Sequence, residues 1–529
     1  MTLDTSLGAV CALFFVCLFV TVALTPIVMR LARRIDAVDR GGYRKVFQGE
    51  MPLLGGLAFA VPLVFSCLAI GILGHVIVRN WEWVWRNHRD SFDLLFTLAS
   101  YRRECLTLAA GGIAIVVLGV LDDMKSLRAR WKLLGQVVVA LFVCLSGFAL
   151  TSVTIPFVGT LNLGIGLGGI LTVLWVVGLI NAFNLIDGID GLASGIALVG
   201  TCALVVLGVV QGNEFVTFVG AALAGCLTAF LFYNFPPARI FLGDTGSMFI
   251  GYTLAMMALI GAQKSETAMI ILAPMLALSL PIFETLISMT RRYVGGVPVF
   301  AGDNLHTHHR LLRMGYSQPG VVLTLCGTGL LFAIAAIMSA LIPENSKWVW
   351  FPYALYIGSL VNIAWLAGYL RPTNVRSLIE RRHRNKVYQA FRKYAALRIH
   401  TGVRSGEAKP LLELCRCELG LRYIAVCVHD REQLIVSPSG SSRDEDWPSY
   451  DEVRIKSSDK KDVLVCYEFK HPPDQNLRHD VSLCLAGIFD SVRLERFCDA
   501  RDTVETPVST EEHPTVVRFK PGSKRGANE

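Results

Sequence analysis

The chain has 529 residues, of which 53% are hydrophobic and 17% charged, and it carries a formal net charge of +8. Its mean hydropathy of +0.50 is too high for an ordinary soluble protein. The composition predicts an all-α protein that crosses a membrane several times, with membrane lipids and no nucleic acid among its partners.

Eleven stretches are long and apolar enough to cross a bilayer, since a helix needs about 20 mostly apolar residues to do so. The predicted spans are 7–29, 52–78, 105–121, 132–150, 167–183, 192–211, 215–235, 246–262, 267–289, 319–342 and 347–370. With the amino terminus outside, the inner loops hold 15 Lys and Arg residues and the outer loops hold 7. Because cytoplasmic loops are rich in basic residues, this predicts a multi-pass protein of the inner (plasma) membrane with a cytoplasmic carboxyl end.

The composition changes after Arg371-Pro372, where charged residues become frequent. We therefore predict a transmembrane domain over 1–372 and a basic juxtamembrane segment over 373–400, which anionic lipid would attract by about 1 kcal/mol per basic residue. Residues 401–499 read as a cytoplasmic α+β domain that weakly resembles a GAF-type domain, and 500–529 as a disordered tail. Its predicted elements are strands 421–428, 432–437 and 462–469 and helices 408–420 and 475–497.

Four polar motifs follow predicted spans, and all four would lie on the cytoplasmic face. They are Asp122-Asp123, the segment from Asn181 to Gly191, the segment from Gly243 to Ser247, and the segment from His306 to His309. Polar side chains are costly in hydrocarbon, so their collection at one face indicates a functional site.

The adjacent Asp122 and Asp123 end the third span. They could be a solvated helix end, but the helix dipole disfavours two ionised carboxylates there. A cation would compensate, and Lys125 and Lys132 are near in sequence. Carboxylates that bind a metal or a proton, with lysines beside them, suit phosphate chemistry.

Asn184 and Asp187 are three residues apart and would share one face if a helical turn persists. Hard oxygen ligands of this kind suit Mg²⁺, which takes few protein ligands and binds substrate phosphates. The alternative is a simple turn punctuated by Gly188 and Gly191.

Asp244 lies in a Gly-Asp-Thr-Gly segment that could be a turn followed by a helix N-cap. The upstream Asn234 and Arg239 add an amide and a cation, which favours anion binding.

A metal could bind to His306, His308 and His309. The arginines around these histidines instead favour contacts to a diphosphate and a sugar.

Together these motifs resemble the polyprenyl-phosphate N-acetylhexosamine-1-phosphate transferase superfamily (glycosyltransferase family 4), which includes WecA-like and MraY-like enzymes. The resemblance covers roughly 25–320 and extends to the eleven-span layout. The matching residues are Asp36, Asp39, Pro52 to Gly56, Leu121 to Asp123, Lys132 to Gln136, Asn181 to Gly191, Asn234, Arg239 to Ser247 and Asp303 to Gly315.

The resemblance implies that an N-acetylhexosamine 1-phosphate is transferred from a UDP-sugar to polyprenyl (undecaprenyl) phosphate. This reaction would be the first membrane step of a cell-envelope glycan pathway. It implies Mg²⁺, or Mn²⁺, on Asn184 and Asp244, and a role for Asp122 and Asp123 in orienting or deprotonating the lipid phosphate. Lys125 and Lys132 would face that phosphate. The nucleotide sugar would contact Asp187, Asp190, Asn234, Arg239, His306, His308 and His309.

The His-x-His-His motif resembles the WecA-like branch, whose usual donor is UDP-GlcNAc or an epimer. Asn304-Leu305 departs from that branch, so the sugar stays open and an MraY-like phospho-MurNAc-pentapeptide transferase is the alternative. A membrane transporter would also have many spans, but the chain shows no inverted repeats. A membrane-anchored sensor built around the cytoplasmic domain is a third interpretation, and a homodimer is one expectation for assembly.

Overall fold

The computed structural model describes residues 3–40, 50–74, 100–155, 159–263, 272–294, 306–343 and 346–369, together with four strands and a few single positions beyond residue 414. The chain divides into two compact units. One comprises Met1–Arg291 with Val299–Asn374, and the other Arg292–Pro298 with Val375–Glu529.

Helices make up most of what is described before residue 370, as the apolar stretches predict. They are α1 (Leu3–Arg34), α2 (Leu57–Ala69), α3 (Arg102–Lys125), α4 (Ala129–Val143), α5 (Gly164–Ile186), α6 (Leu192–Val210), α7 (Glu214–Asn234), α8 (Gly243–Gln263), α9 (Leu272–Ala277), α10 (Ser279–Val294), α11 (Thr307–Arg313), α12 (Gln318–Leu341) and α13 (Phe351–Leu366). Short π-helical turns, Ile70–Gly74 and Cys144–Phe148, extend α2 and α4.

Eight of the described helices are long and apolar enough to cross a membrane. The shorter apolar helices Leu57–Ile72 and Phe351–Leu366 lie in the second and last predicted spans. The predicted span 267–289 contains the short α9 and the start of α10, and its residues 267–271 lie outside the described part. The protein is a multi-pass membrane protein, and the number eleven stays a prediction.

Helix α8 forms the centre of the helical unit. In the most apolar stretch of 18 residues, 94% of the residues are buried in α8 and 17% in α1. It packs against α3 and α5, which both end near the place where α8 begins. Because α8 is enclosed by protein, the residues of its first turn have a fixed position.

Two glycines allow the backbone to approach the start of α8 closely. A Cβ on Gly119 of α3 would lie 2.4 Å from Cα of Thr245, and one on Gly56 would lie 2.3 Å from Cα of Gly246. The N–H of Gly56 also donates to the carbonyl of Leu242 at 3.1 Å. A side chain at either glycine would push the start of α8 out of place.

Two small antiparallel hairpins flank the helices. Strand β1 (Val38–Asp39) pairs with β2 (Met51–Pro52), with Val38 opposite Pro52, and leads the chain into the segment that contacts α8. Strands β3 (Ser152–Ile155) and β4 (Gly159–Asn162) pair between α4 and α5.

The second unit contains a four-stranded antiparallel sheet. Its strands are β5 (Leu421–Val428), β6 (Glu432–Val436), β7 (Asp451–Lys456) and β8 (Asp462–Phe469), in the order β6-β5-β8-β7. Three of the strands lie where the sequence predicts them, but β7 was missed. It alternates charged residues with Val453 and Ile455, a pattern suited to its place at a sheet edge.

The remaining predictions for the second unit fall largely outside the described residues. This applies to the segments 373–400 and 500–529 and to most of the predicted helices 408–420 and 475–497. The GAF-type assignment stays a prediction.

Candidate active site

Four polar side chains from four helix ends meet at one point, here called the charged centre: Asp122, Lys132, Asn184 and Asp244. The ammonium Nζ of Lys132 lies 2.6 Å from Oδ2 of Asp122 and 3.0 Å from Oδ1 of Asp244. It also donates a long hydrogen bond of 3.4 Å to Oδ1 of Asn184. One half-buried cation therefore holds together two carboxylates that would otherwise repel each other.

The turn between α3 and α4 brings Lys132 to Asp122. Oδ1 of Asp122 accepts a hydrogen bond from the backbone N–H of Leu127 at 2.7 Å. Ser126 has a left-handed backbone with φ of 47°, which is uncommon for a residue other than glycine. The Asp122 side chain thus stabilises the reversal that places α4 beside it.

Asp123 points the other way and caps helix α8. Its Oδ1 accepts from the N–H of Asp244 at 2.7 Å. Its Oδ2 accepts from the N–H of Thr245 at 3.1 Å and from the Thr245 hydroxyl at 2.6 Å. A carboxylate at a helix N-terminus satisfies unpaired donors and suits the helix dipole. The two adjacent aspartates therefore have different surroundings.

Asn184 connects α5 to the first turn of α8. Its amide nitrogen donates to Oδ1 of Asp244 and, at 3.0 Å, to Oγ of Ser247. One turn earlier, Asn181 donates to Oε1 of the buried Gln136 at 2.6 Å. These amide contacts fix the end of α5 relative to α4 and α8.

The turn from Asp187 to Gly191 continues from the charged centre. Burial raises the pKa of Asp187 well above its usual value, and the charges of Asp244, Asp123 and Asp190 raise it further. Burial also raises the pKa of Asp190, whose Oδ2 accepts from the N–H of Ala238 at 3.3 Å. Both carboxyl groups hold their protons more tightly than in water.

Asn234 lies beneath this turn, with 3% of its surface exposed. Its Oδ1 accepts from the N–H of Gly191 at 3.0 Å and from the Ser194 hydroxyl at 2.9 Å, and its amide donates to the carbonyl of Ile240. These contacts hold the turn, while its predicted contact with the nucleotide sugar stays a prediction.

The histidines lie on α11, here called the histidine helix, with His306 as its N-cap residue. His308 is 1% exposed and its ring faces Gly188, where an added Cβ would lie 2.2 Å from Nε2. Among the described residues neither ring nitrogen of His308 has a hydrogen-bond partner. Burial, together with the neighbouring His309 and His306, lowers the pKa of His308 to about 2, so its ring is neutral.

Two predicted residues lie apart from the charged centre. The side chains of Lys125 and Arg239 are exposed, and within the described part of the chain neither forms an ion pair. Their predicted substrate contacts stay predictions. Residues 303–305, the first part of the last matched segment, lie outside the described residues.

The charged centre offers oxygen atoms of the kind that a hard divalent cation takes. Oxygen atoms of Asp122, Asn184 and Asp244 already surround the positive ammonium of Lys132. The described residues contain no group of three or more His, Cys, Asp or Glu side chains that could hold a metal. The carboxylate of Asp244 and the amide oxygen of Asn184 are ligand types that suit an ion that keeps several waters.

The sequence analysis includes Gln136 and Ser247 in matched motifs but gives them no role, and it does not identify Asp123 as a helix cap. Helical spacing could have indicated the first two, because Gln136 is four residues after Lys132 and Ser247 three after Asp244. The cap could not be found this way, because it joins segments that are distant in sequence.

Comparison with known proteins adds to this geometry. Residues 105–262 match the model of glycosyl transferase family 4. A probable undecaprenyl-phosphate N-acetylglucosaminyl 1-phosphate transferase of Bacillus subtilis (strain 168) is 36% identical over 338 residues, which cover 64% of this chain and 86% of the relative.

Two further relatives differ in their named activity. A decaprenyl-phosphate N-acetylglucosaminephosphotransferase of Mycobacterium tuberculosis (strain H37Rv) is 30% identical over 325 residues, covering 58% of this chain and 76% of the relative. A phospho-N-acetylmuramoyl-pentapeptide-transferase of Desulforudis audaxviator (strain MP104C) is 31% identical over 346 residues, covering 61% and 95%. Both branches of the resemblance are thus represented among the relatives.

Proposed function

The chain belongs to glycosyl transferase family 4, and we propose that it transfers N-acetylglucosamine 1-phosphate from UDP-GlcNAc to polyprenyl phosphate. An oxygen of the lipid phosphate forms a bond to the β-phosphorus of the nucleotide sugar. The bond from that phosphorus to the bridging oxygen breaks, so the products are polyprenyl diphosphoryl GlcNAc and UMP. The names of the B. subtilis and M. tuberculosis relatives support this assignment.

The observation that carries the proposal is the position of the Lys132 ammonium between Asp122 and Asp244. Phosphoryl transfer depends mainly on positioning and on neutralising negative charge. The charged centre offers both a cation and oxygen ligands at a helix end, where a phosphate can approach.

Asp244 and Asn184 would hold Mg²⁺, or Mn²⁺ in its place. When bound, such an ion neutralises phosphate charge and orients the diphosphate. Asp244 suits this role because the cap by Asp123 and the contacts of Asn184 fix its backbone and side chain.

Asp122 and Lys132 would face the lipid phosphate, with the exposed Lys125 at the entrance. An ionised Asp122 can accept a proton from the lipid phosphate, while Lys132 attracts the resulting dianion. Asp123 has a different role in this scheme, since both its oxygens accept bonds from α8. We assign it to holding Asp244.

The turn and the histidine helix would receive the nucleotide sugar. Asp187 and Asp190 would contact the nucleoside, with Asn234 beneath them, and Arg239 with His306, His308 and His309 would contact the diphosphate or the sugar. A neutral imidazole can donate one hydrogen bond and accept another. Neither ring nitrogen of the buried His308 has a hydrogen-bond partner among the described residues.

The positive-inside bias of the loops supports a site at the cytoplasmic face of the inner membrane. A polyprenyl phosphate can reach it there with its chain in the bilayer and its phosphate at the interface. The similarity to the D. audaxviator relative supports an MraY-like donor as the second candidate.

The test uses the purified full-length chain with polyprenyl phosphate, Mg²⁺ and a panel of UDP-sugars. We expect UMP release with UDP-GlcNAc, dependent on both the lipid and the metal. If UDP-MurNAc-pentapeptide is the only donor that gives UMP release, the second candidate is favoured. No release with any donor, from a correctly folded protein, would overturn the proposal.

A further inference from the structure

The histidine helix is too short to hold its own position. It has seven residues, and isolated helices of that length are not stable in water. His308 makes no hydrogen bond to the described residues that could orient its ring. Its place against Gly188 must therefore come from what holds the helix.

Glu284 of α10 provides one anchor, at the N-terminus of the helix. Its Oε2 accepts a hydrogen bond from the N–H of Thr307 at 3.2 Å and lies 3.9 Å from Nδ1 of His306. The residue is 3% exposed. A buried carboxylate here satisfies a helix donor and interacts well with the helix dipole.

Tyr369, just after α13, provides a second anchor. Its hydroxyl lies 3.1 Å from Oγ1 of Thr307, and its ring lies 4.3 Å below the guanidinium of Arg310. Arg310 also donates to the carbonyl of Ala367 at 2.9 Å. The end of the last apolar helix is thus bonded to both turns of the histidine helix.

We propose that Glu284 and Tyr369 are positioning residues, which set the affinity for the nucleotide sugar by holding the histidine helix against the turn from Asp187 to Gly191. This inference rests on the proposed function, because the histidines must contact the UDP-sugar for their placement to matter. Neither residue need touch a substrate.

The test measures KM for each substrate and kcat in Glu284→Gln, Tyr369→Phe and Thr307→Val. Glu284→Gln removes the charge facing His306 and keeps an oxygen for Thr307, while Tyr369→Phe keeps the ring under Arg310. We expect KM for UDP-GlcNAc to rise about two- to tenfold, the range produced by loss of one hydrogen bond. KM for polyprenyl phosphate and kcat should stay within about twofold of the wild type.

A double variant separates positioning from general weakening. Tyr369→Phe removes the bond to Thr307, and Thr307→Val removes that bond together with the side-chain hydrogen bond from Thr307 to Glu284. The double variant should therefore raise KM no more than Thr307→Val alone. Tyr252→Phe is the matched control, because its buried hydroxyl donates to the carbonyl of Thr107 at 2.9 Å, away from the site. It should lower the melting temperature and leave KM unchanged.

The outcomes distinguish the inference from the proposed function. A wild-type protein that releases no UMP refutes the function. If the wild type is active and KM for UDP-GlcNAc is unchanged in Glu284→Gln, Tyr369→Phe and Thr307→Val, the inference is overturned. It is also overturned if these variants lower only the melting temperature, as Tyr252→Phe should. If Glu284→Gln does not fold, the Tyr369 and Thr307 pair decides the question.

Discussion

The charged centre and the histidine helix belong to one candidate site but are held by different forces. Lys132 joins Asp122 and Asp244 directly, so the side chains that would do the chemistry also hold one another. His308 is neutral and buried, and its helix is fixed by residues outside the site. We therefore expect substitutions in the charged centre to lower kcat, and substitutions around the histidine helix to raise KM for the donor.

Asp244→Asn should have the largest effect. Losing this charge weakens the proposed metal site and removes half of the Lys132 pairing, so kcat should fall by at least about a hundredfold. UMP release by purified protein measures it, with the melting temperature as a check on folding. Glu214→Gln, at the opposite end of α7 from Asn234 and about 30 Å along that helix, is the carboxylate control. Near-normal activity in Asp244→Asn would remove this residue from the site.

Substitutions at the two adjacent aspartates should have the next largest effects, and these effects should differ between Asp122 and Asp123. Asp122→Asn should lower kcat by about a hundredfold, because it weakens the pairing with Lys132. Asp123→Asn keeps an oxygen for the Asp244 N–H, so kcat should fall only about tenfold. Asp123→Ala loses the whole cap, and the free energy of unfolding should fall by about 0.5–2 kcal/mol. Equal inactivity of the Asn and Ala variants at Asp123, with unchanged melting temperatures, would show that its charge acts in the reaction.

Gly188→Ala should affect the histidine helix and leave the charged centre unchanged. The new methyl group would meet the His308 ring and displace it, so KM for UDP-GlcNAc should rise about tenfold with little change in kcat. Gly178→Ala is the matched control, because a Cβ at that position of α5 meets nothing within 4 Å. An effect on kcat alone would place the ring outside the donor site.

The pH dependence tests whether His308 is neutral. Because burial lowers its pKa to about 2, the ring is deprotonated throughout the usual working range. His308→Gln should therefore lower kcat/KM by the same factor at about pH 6 and about pH 8.5. A factor that changes between these pH values would show that His308 titrates within them.

Removal of the second unit should have the smallest effect. Truncation after Asn374 keeps Tyr369 and every residue of the charged centre, so activity in detergent should stay within about threefold. Truncation after Trp365 removes Ala367 and Tyr369 and should raise KM for UDP-GlcNAc. A folded but inactive protein ending at Asn374 would mean that the second unit completes the site.

The sequence was sufficient for features that depend on local pattern. The apolar stretches predicted the helices. The polar motifs that follow them predicted the charged centre, because helix ends on the same side of a membrane are brought to one surface. Strands β5, β6 and β8 followed from their runs of Val, Ile and Leu.

Features that depend on tertiary contacts could not be predicted. The sequence puts Lys132 near both aspartates, but it does not indicate that Asp122 pairs with it while Asp123 caps a helix more than a hundred residues later. Tyr369 looks like an ordinary residue at the end of an apolar helix until Thr307 and Arg310 are placed beside it. The edge strand β7 was missed because its charges suit solvent.

The burial of α8 has a consequence for how the enzyme could acquire a new donor. A helix enclosed on all sides tolerates few replacements, since each change must be matched by its neighbours. The histidine helix is short, and a few polar contacts anchor it to α10 and to the residues after α13. Variants selected for another UDP-sugar should therefore accumulate substitutions in and around residues 306–313, while the first turn of α8 stays unchanged.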